Sequence, residues 1–286
     1  MAAPQTHEVI MIGSGPSALT AAVYTTREDI PTTLYEKAAV GGMAATTDRI
    51  DNYPGFPDGI AGLELASQLQ AQAKRFGAQL AFGEVTKIHA ADGGVELTID
   101  GKQHLAKAVL IATGSQYRKL GVPGEDEFFG RGVHYCATCD GEFFTGKEVF
   151  VIGGGFAAAE ESVFLTKYAK HVTVLVREEA FTCAPASSEA ARTNPNITVL
   201  YNTQVESVAG DSALRSITYK NLKTGEKTTF APEDGDSIGV FVFAGYAPET
   251  DLVKELAQTD DYGYLITNEH QETTCEGLFG AGDVCQ

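Results

Sequence analysis

The chain has 286 residues and a formal net charge of −17 at pH 7. Its length exceeds that of most single-core domains and predicts two domains. The acidity disfavours nucleic acids and anionic membranes as partners, because both are negatively charged. No apolar run approaches the roughly 20 residues that span a bilayer, and residues 1–7 lack a secretion signal, so we expect a soluble, cytoplasmic protein.

A strand, a glycine turn and a helix are predicted at the start of the chain. Apolar residues 8–12 lead into Gly13-Ser14-Gly15-Pro16-Ser17-Ala18, and a helical pattern rich in Ala follows at 19–26. Glycines at this turn let the backbone approach a pyrophosphate at the helix N-terminus. The next strand, 32–35, ends in Glu36, a carboxylate placed to hold ribose hydroxyls. This pattern predicts dinucleotide binding.

Residues 41–43 and 51–57 are predicted as turn-rich loops, and regular structure resumes after them. Apolar residues recur at helical spacing over 62–76, which indicates an amphipathic packing helix. Strand patterns follow at 78–82, 85–89, 95–99 and 108–111. The last of them runs into Ala112-Thr113-Gly114, a turn expected to bring the sheet back beside its nucleotide.

The same plan is repeated about 140 residues downstream. The strand at 147–152 leads into Gly153-Gly154-Gly155-Phe156-Ala157-Ala158, followed by a predicted helix at 159–168 and a strand at 172–176. Further strands are predicted at 197–201, 205–209, 216–219 and 237–243. The repeat predicts an α/β protein with two Rossmann-like dinucleotide-binding domains.

Two cysteines lie between the glycine loops, in Cys136-Ala137-Thr138-Cys139-Asp140. In a reducing compartment, two thiols at this spacing are typical of a redox pair, and Asp140 can supply or take its proton. The alternatives are a zinc half-site or a chance pair. Structural zinc needs four ligands, and no second pair of close cysteines exists, so no metal is expected. The remaining candidates for a ligand set are Cys183, Cys275, Cys285 and His134.

In this order the motifs resemble the low-molecular-weight thioredoxin reductases. The resemblance covers nearly the whole chain and is carried by 13–18, Asn52-Tyr53-Pro54-Gly55-Phe56, 112–114, 135–141 and Gly280-Ala281-Gly282-Asp283. It implies an FAD-binding domain of residues 1–118 plus 246–286, interrupted by an inserted NAD(P)-type domain of residues 119–245. It also implies a homodimer, a thioredoxin-like protein substrate, and domain rotation about hinges near 118–120 and 244–246.

The resemblance also implies roles for single residues. Cys139 matches the thiol that faces the flavin, Cys136 the thiol that attacks the partner's disulfide, and Asp140 the neighbouring acid. The residues expected to hold FAD are Gly13, Gly15, Pro16, Ser17, Ala18, Glu36, Gly42, Met43, Asn52, Ala112, Thr113, Gly114, Gly282 and Asp283.

Two departures from the family pattern concern FAD. Met43 stands where the family has Gln, so one polar contact to the flavin edge is expected to be missing. The family pattern also continues beyond Asp283 with a helix that covers the flavin. Two alternatives follow: the sequence is incomplete, or FAD is held more weakly.

The third departure makes NADP(H) a doubtful cofactor. The family's second glycine fold grips the 2′-phosphate with a His, two Arg and a further Arg, and here those positions read Val176, Arg177, Glu178 and Thr182. Phe156 and Ala157 also replace polar residues of the loop. Weak NADPH use is therefore expected, as in ferredoxin-dependent and deeply rooted flavin members of the family.

Three hypotheses about the activity follow. The first is a flavin-dependent disulfide reductase with a ferredoxin or another donor. The second is an ordinary NAD(P)H-dependent thioredoxin reductase, and the third is a redox-sensing flavin module without turnover. An acidic ferredoxin needs a basic patch, for which the candidates are Lys167, Lys170, His171 and Arg177, or Arg118 and Lys119.

Overall fold

The protein was analysed as a computed structural model, which describes residues 4–47, 49–50, 52–233 and 235–285. The described chain divides into two compact units, the first ending at residue 116 and resuming at 247, and the second spanning Tyr117–Tyr246. The predicted α/β class, with one Rossmann-like unit inserted into another, is confirmed. None of the helices in these ranges combines the length and apolar character that crossing a bilayer requires.

Seventeen strands are described. In chain order they are β1 (Gln5–Ile12), β2 (Thr32–Glu36), β3 (Gln79–Phe82), β4 (Val85–Ala91), β5 (Gly94–Ile99), β6 (Lys102–Ile111), β7 (Ser115–Tyr117), β8 (Val133–His134), β9 (Glu148–Ile152), β10 (His171–Leu175), β11 (Ile197–Leu200), β12 (Thr203–Gly210), β13 (Leu214–Asn221), β14 (Lys227–Phe230), β15 (Gly239–Val242), β16 (Tyr246–Pro248) and β17 (Leu278–Gly280). The α-helices are α1 (Pro16–Arg27), α2 (Gly42–Ala45), α3 (Gly62–Arg75), α4 (Ala137–Asp140), α5 (Phe156–Leu165) and α6 (Pro185–Thr193).

The first unit is built on a seven-stranded sheet. Its order is β3-β2-β1-β6-β5-β4, and β17 also pairs with β6. Strands β3, β2, β1, β6 and β17 run parallel, whereas β5 is antiparallel to both β6 and β4. Strand order reverses at β1, and in such sheets ligands bind at the carboxyl ends of the strands beside the reversal.

The second unit repeats the parallel plan on a smaller scale. Its five-stranded parallel sheet has the order β11-β10-β9-β15-β8, and β12, β13 and β14 form an antiparallel sheet beside it in the chain. Strands β7 and β16, where the chain passes between the units, pair with each other. The helix predicted at 159–168 begins earlier, at Phe156, because it starts directly after the glycine loop.

One buried carboxylate organises the start of the second unit. Glu125 is 3% exposed and accepts hydrogen bonds from the backbone N–H groups of Leu120 and Gly121, both at 2.7 Å. It also accepts one from the Tyr135 hydroxyl at 2.7 Å. A buried carboxylate is tolerated only when donors satisfy it, and here three donors do so. Glu125 thereby links the segment after β7 to the residue preceding Cys136.

This network predicts a large loss of stability on truncation of Glu125. Glu125→Ala leaves two backbone N–H groups and a hydroxyl without their acceptor, which we expect to lower the free energy of unfolding by about 3 kcal/mol. Chemical denaturation of the full chain measures this difference. The exposed neighbour Glu127 is the control, since Glu127→Ala should change the free energy by no more than about 0.5 kcal/mol. Equal effects of the two variants would show that Glu125 anchors nothing.

Candidate active site and nucleotide loops

The two cysteines of the predicted redox pair are joined in a disulfide. Cys136 caps the N-terminus of α4 in an extended conformation, and its Sγ accepts a hydrogen bond from the Cys139 backbone N–H at 3.2 Å. Cys136 is half-buried and Cys139 is exposed. The pair is therefore present in its oxidised, disulfide form.

Asp140, the third predicted member of this site, is held by a buried histidine. Its Oδ2 lies 2.8 Å from His134 Nδ1, with the side chains 30% and 8% exposed, respectively. The His134 ring stacks on Phe241, with centroids 5.5 Å apart, and contacts Phe144 edge to face at 5.3 Å. From the sequence, His134 was a candidate only as a zinc ligand, and this contact was not predicted. Its only sequence signal is a titratable residue in a short strand just before the cysteines.

Two tyrosines lie next to this turn within the second unit. The Tyr135 ring stacks on Tyr117 at 5.4 Å, with an interplanar angle of 24°. Burial raises the pKa of Tyr135, and its hydrogen bond to Glu125 raises it further. Burial also raises the pKa of Tyr117, and the negative charges of Glu161 and Asp140 contribute. Both phenols therefore stay protonated at neutral pH, and the Tyr135 hydroxyl donates to Glu125.

Glu161 on α5 is a half-buried acid of the second unit. Burial raises the pKa of its carboxyl, and the neighbouring Glu160 raises it further. Its Oε2 is the one fully buried side-chain oxygen or nitrogen without a hydrogen-bond partner in the described part of the chain. The sequence analysis did not single it out.

The first glycine loop joins β1 to α1 as predicted, with Pro16 as the first helical residue. Gly13 has φ of +103°, and a Cβ there would lie 2.3 Å from the Ala112 carbonyl oxygen. Gly15 precedes the helix, and a Cβ there would meet nothing within 4 Å. Open space beside Gly15 and the first-turn N–H groups of α1, which have no acceptor within the helix, form the cradle that a pyrophosphate requires.

Glu36 lies at this loop, as predicted. Its Oε2 accepts hydrogen bonds from the Ser14 backbone N–H at 3.0 Å and hydroxyl at 2.7 Å. Its Oε1 accepts one from the Ala38 N–H at 2.9 Å. A carboxylate has about four lone-pair sites, so acceptor capacity remains for a ribose hydroxyl.

Other predicted FAD residues meet at the same edge of the sheet. Gly42, at the start of α2, lies so close to Gly15 that a Cβ on Gly42 would be 3.5 Å from the Gly15 Cα. Gly282, beyond β17, approaches Ser17 on α1, since its Cβ would lie 2.6 Å from the Ser17 hydroxyl. The Thr113 hydroxyl donates to the Glu249 carbonyl at 2.7 Å. These residues fit a dinucleotide lying across the loop.

The remaining predicted residues lie around this edge without a described contact that assigns them a role. Ala112 and Gly114 flank Thr113, and Ala18 is buried in α1. Met43 is half-buried in α2, Asn52 is exposed between α2 and α3, and Asp283 is exposed next to Gly282.

The second glycine loop has the same backbone but different surroundings. Gly153 donates its N–H to Leu175, as Gly13 does to Tyr35, at 3.1 and 2.8 Å. The residue that follows Leu175 is Val176, which is fully buried and has no acceptor where Glu36 stands in the first unit. A Cβ on Gly154 would lie 3.3 Å from Glu178 Oε2, so this carboxylate stands directly beside the loop.

A cleft of about 620 Å³ opens over this second loop, entirely within the second unit. The Arg177 guanidinium at its wall is bonded to Glu178 Oε1, at 3.0 and 3.2 Å. Thr182 donates its N–H to the Gly154 carbonyl at 2.7 Å, and Phe156 is 56% exposed at the start of α5. The cleft has the size of a ligand pocket, but a carboxylate already neutralises its arginine.

Comparisons with known proteins agree with this arrangement. The family model of pyridine nucleotide-disulphide oxidoreductases matches residues 7–286. A thioredoxin reductase of Treponema pallidum (strain Nichols) is 42% identical over 278 residues, which are 97% of this chain and 89% of that protein.

Solved structures give the same result. The Lactococcus lactis thioredoxin reductase in its FR conformation superposes with a TM-score of 0.86 at 37% identity, covering 98% of this chain and 91% of that one. The T. acidophilum thioredoxin reductase has a TM-score of 0.83 at 33% identity, covering 99% and 91%. The chain therefore belongs to the pyridine nucleotide-disulphide oxidoreductase family and, within it, to the low-molecular-weight thioredoxin reductases.

Proposed function

We propose that the protein binds FAD in its first unit and reduces a thioredoxin-like protein through the Cys136–Cys139 disulfide. The observation that carries this proposal is the closure of that disulfide within the turn that also supplies Asp140. Bound FAD would supply the electron pair that reduces the disulfide. The resemblance further supports a cytoplasmic homodimer.

The exchange with the substrate uses this chain's own residues. The Cys136 thiolate attacks one sulfur of the substrate disulfide, and the other substrate sulfur leaves as a thiolate. Cys139 then gives its thiol proton to Asp140, and the new thiolate attacks Cys136 Sγ. The bond between Cys136 and the substrate breaks, so the enzyme disulfide reforms and the substrate leaves reduced once its sulfurs are protonated.

Single replacements should separate the two thiols. Cys136→Ser should abolish thioredoxin reduction but leave a Cys139 thiol that still perturbs the flavin spectrum, whereas Cys139→Ser should lose flavin-to-disulfide transfer altogether. Thioredoxin reduction and flavin absorbance measure the two effects. Cys183, a free and half-buried cysteine outside the pair, provides the control, and Cys183→Ser should keep the unmodified rate. Wild-type activity in either member of the pair would refute the dithiol mechanism.

The assignment of FAD to the first unit is tested at matched glycines. Gly15 and Gly155 both precede a helix with negative φ, and at each a Cβ would meet nothing within 4 Å. Gly15→Val should give a folded, colourless protein because the side chain fills the space of the pyrophosphate. Gly155→Val should keep the absorbance of oxidised flavin at roughly 450 nm. Full colour in Gly15→Val protein would place FAD elsewhere.

We further propose that NADPH is a poor electron donor for this protein. Glu178 lies beside Gly154 and binds Arg177, so the one basic residue left of the four family positions is already neutralised. A carboxylate this close to a 2′-phosphate costs on the order of 1 kcal/mol or more. The exposed Phe156 ring adds an apolar group where a pyrophosphate needs donors.

A ferredoxin-type protein is the alternative to NADPH as the electron donor, as in the ferredoxin-dependent members that the sequence resembles. Most cations of the proposed basic patch already have partners. Lys170 pairs with Glu148 at 3.3 Å, Lys119 with Asp126 at 2.7 Å, and Lys167 lies over the Phe164 ring at 4.6 Å. Docking of an acidic ferredoxin would therefore have to compete with existing ion pairs, which are exposed and weak.

The donor is decided by anaerobic titration of the oxidised flavoprotein with NADPH, NADH and reduced ferredoxin, with flavin bleaching as the readout. We expect slow bleaching by micromolar NADPH. Glu178→Arg should speed it about tenfold or more because a repulsive charge becomes attractive. Glu179→Arg is the control. Glu179 pairs with Lys223 at 2.6 Å rather than with Arg177, so its replacement should change the bleaching rate much less. Rapid bleaching of the unmodified protein by NADPH would instead support an ordinary NADPH-dependent reductase.

A redox-sensing flavin module without turnover is the second candidate function. A binding module needs only one dinucleotide fold, whereas this chain has two such folds, a disulfide and an adjacent acid. Stopped-flow reduction of the flavin followed by addition of oxidised thioredoxin distinguishes the two. In an enzyme, thioredoxin reoxidises the flavin in every cycle of reduction, whereas in a sensing module the flavin stays reduced.

A further inference from the structure

We propose that His134 is a positioning residue for Asp140 in the dithiol chemistry, a role that rests on the proposed function. His134 Nδ1 donates to Asp140 Oδ2, which leaves Oδ1 as the oxygen that accepts the proton of a thiol. Three features of the second unit support this role: the contact between His134 and Asp140, the confinement of the imidazole, and the origin of Asp140 in the cysteine turn.

The first feature is the ion pair itself. Across the residues that the structure describes, His134 is the ion-pair partner of Asp140, at 2.8 Å. Tyr117 interacts electrostatically with both Asp140 and Glu161. The imidazole is the hydrogen-bond donor that holds the Asp140 carboxylate in this acidic region.

The imidazole is fixed in place by its neighbours. Its backbone lies in β8, which pairs with β15 in the register of His134 with Phe241. Phe241 also stacks on the ring, while Phe144 contacts its edge and itself packs edge to face on Phe241 at 5.5 Å. A ring confined by two aromatic side chains cannot turn freely, so Nδ1 stays directed at the carboxylate.

The carboxylate comes from the same turn as the two sulfurs. Asp140 follows Cys139 in the chain and donates its backbone N–H to the Cys136 carbonyl at 3.3 Å. An acid so close to the thiols acts as a general base only when its orientation is fixed, because proton transfer requires hydrogen-bond geometry. His134 supplies that orientation from a different strand.

The proton balance is simple. In the mixed disulfide, the Cys139 thiol loses its proton to Asp140 Oδ1, and its electron pair forms the bond to Cys136 Sγ. The bond between Cys136 Sγ and the substrate sulfur breaks, and that sulfur leaves with the electron pair. His134 keeps its Nδ1 proton throughout and donates it to Oδ2.

Two replacements separate the hydrogen bond from the packing. His134→Phe keeps an aromatic ring between Phe144 and Phe241 but removes the donor. His134→Asn loses the ring but places an amide nitrogen close to the position of Nδ1. Each is made in the full chain with bound flavin, and thermal melting confirms folding.

The assay follows the oxidation of the dithiol by its substrate. Each protein is reduced with dithiothreitol, desalted anaerobically and mixed with oxidised thioredoxin or a chromogenic aromatic disulfide. His134→Phe should slow both exchanges about tenfold or more, a part of the roughly hundredfold or larger contribution of a general base. His134→Asn should recover the rate to within about threefold, because the donor is restored.

The double variant distinguishes positioning from structure. With Asp140→Asn already present, His134→Phe should change the rate less than about twofold, because its effect passes through the carboxylate. An equal loss in both backgrounds, or an Asn variant as slow as the Phe variant, would overturn the proposal. If the unmodified protein reduced the aromatic disulfide but not thioredoxin, the proposed function would fail while the role of His134 was still tested. If it reduced neither, both would fall.

Discussion

A positive-φ glycine directly after the strand that leads into each glycine loop, β1 in one unit and β9 in the other, is the constraint on which both nucleotide folds depend. Gly13 and Gly153 have φ of +103° and +146°, and at each a Cβ would lie 2.3 Å from the carbonyl oxygen of a neighbouring strand. Only glycine satisfies both conditions. The turn lets the following helix begin directly over the carboxyl end of the sheet, so every ligand argument for either unit starts from these two positions.

What differs between the units is the residue at the carboxyl end of the next parallel strand, which is Glu36 at the end of β2 and Val176 directly after β10. Glu36 accepts three hydrogen bonds at the first loop, whereas Val176 is buried at the second. The same backbone is thus a polar site in one unit and an apolar one in the other. A backbone turn positions a dinucleotide, but the side chain at the strand end determines whether its ribose is recognised.

Local patterns in the sequence predicted most of the fold, and the first glycine loop with Glu36 was placed correctly. Strand and helix periodicity and the spacing of glycines are short-range properties that one stretch of chain contains in full. Helix α6 and the two-residue strand β8 were not predicted. Glu125 and the partner of Asp140 were also missed, because their meaning comes from contacts across the fold rather than from periodicity.

The region around the cysteines shows how a short strand can serve two networks. Tyr135 directly follows β8 and continues its alternation, so Tyr135 and His134 face different sides. Tyr135 belongs to the apolar cluster that contains Phe128 and binds Glu125, whereas His134 packs on Phe241 and binds Asp140. Each face carries one buried or half-buried carboxylate with its own donor. Because a one-residue shift of register would exchange both networks at once, they hold the cysteine turn in a single register more strongly than either would alone.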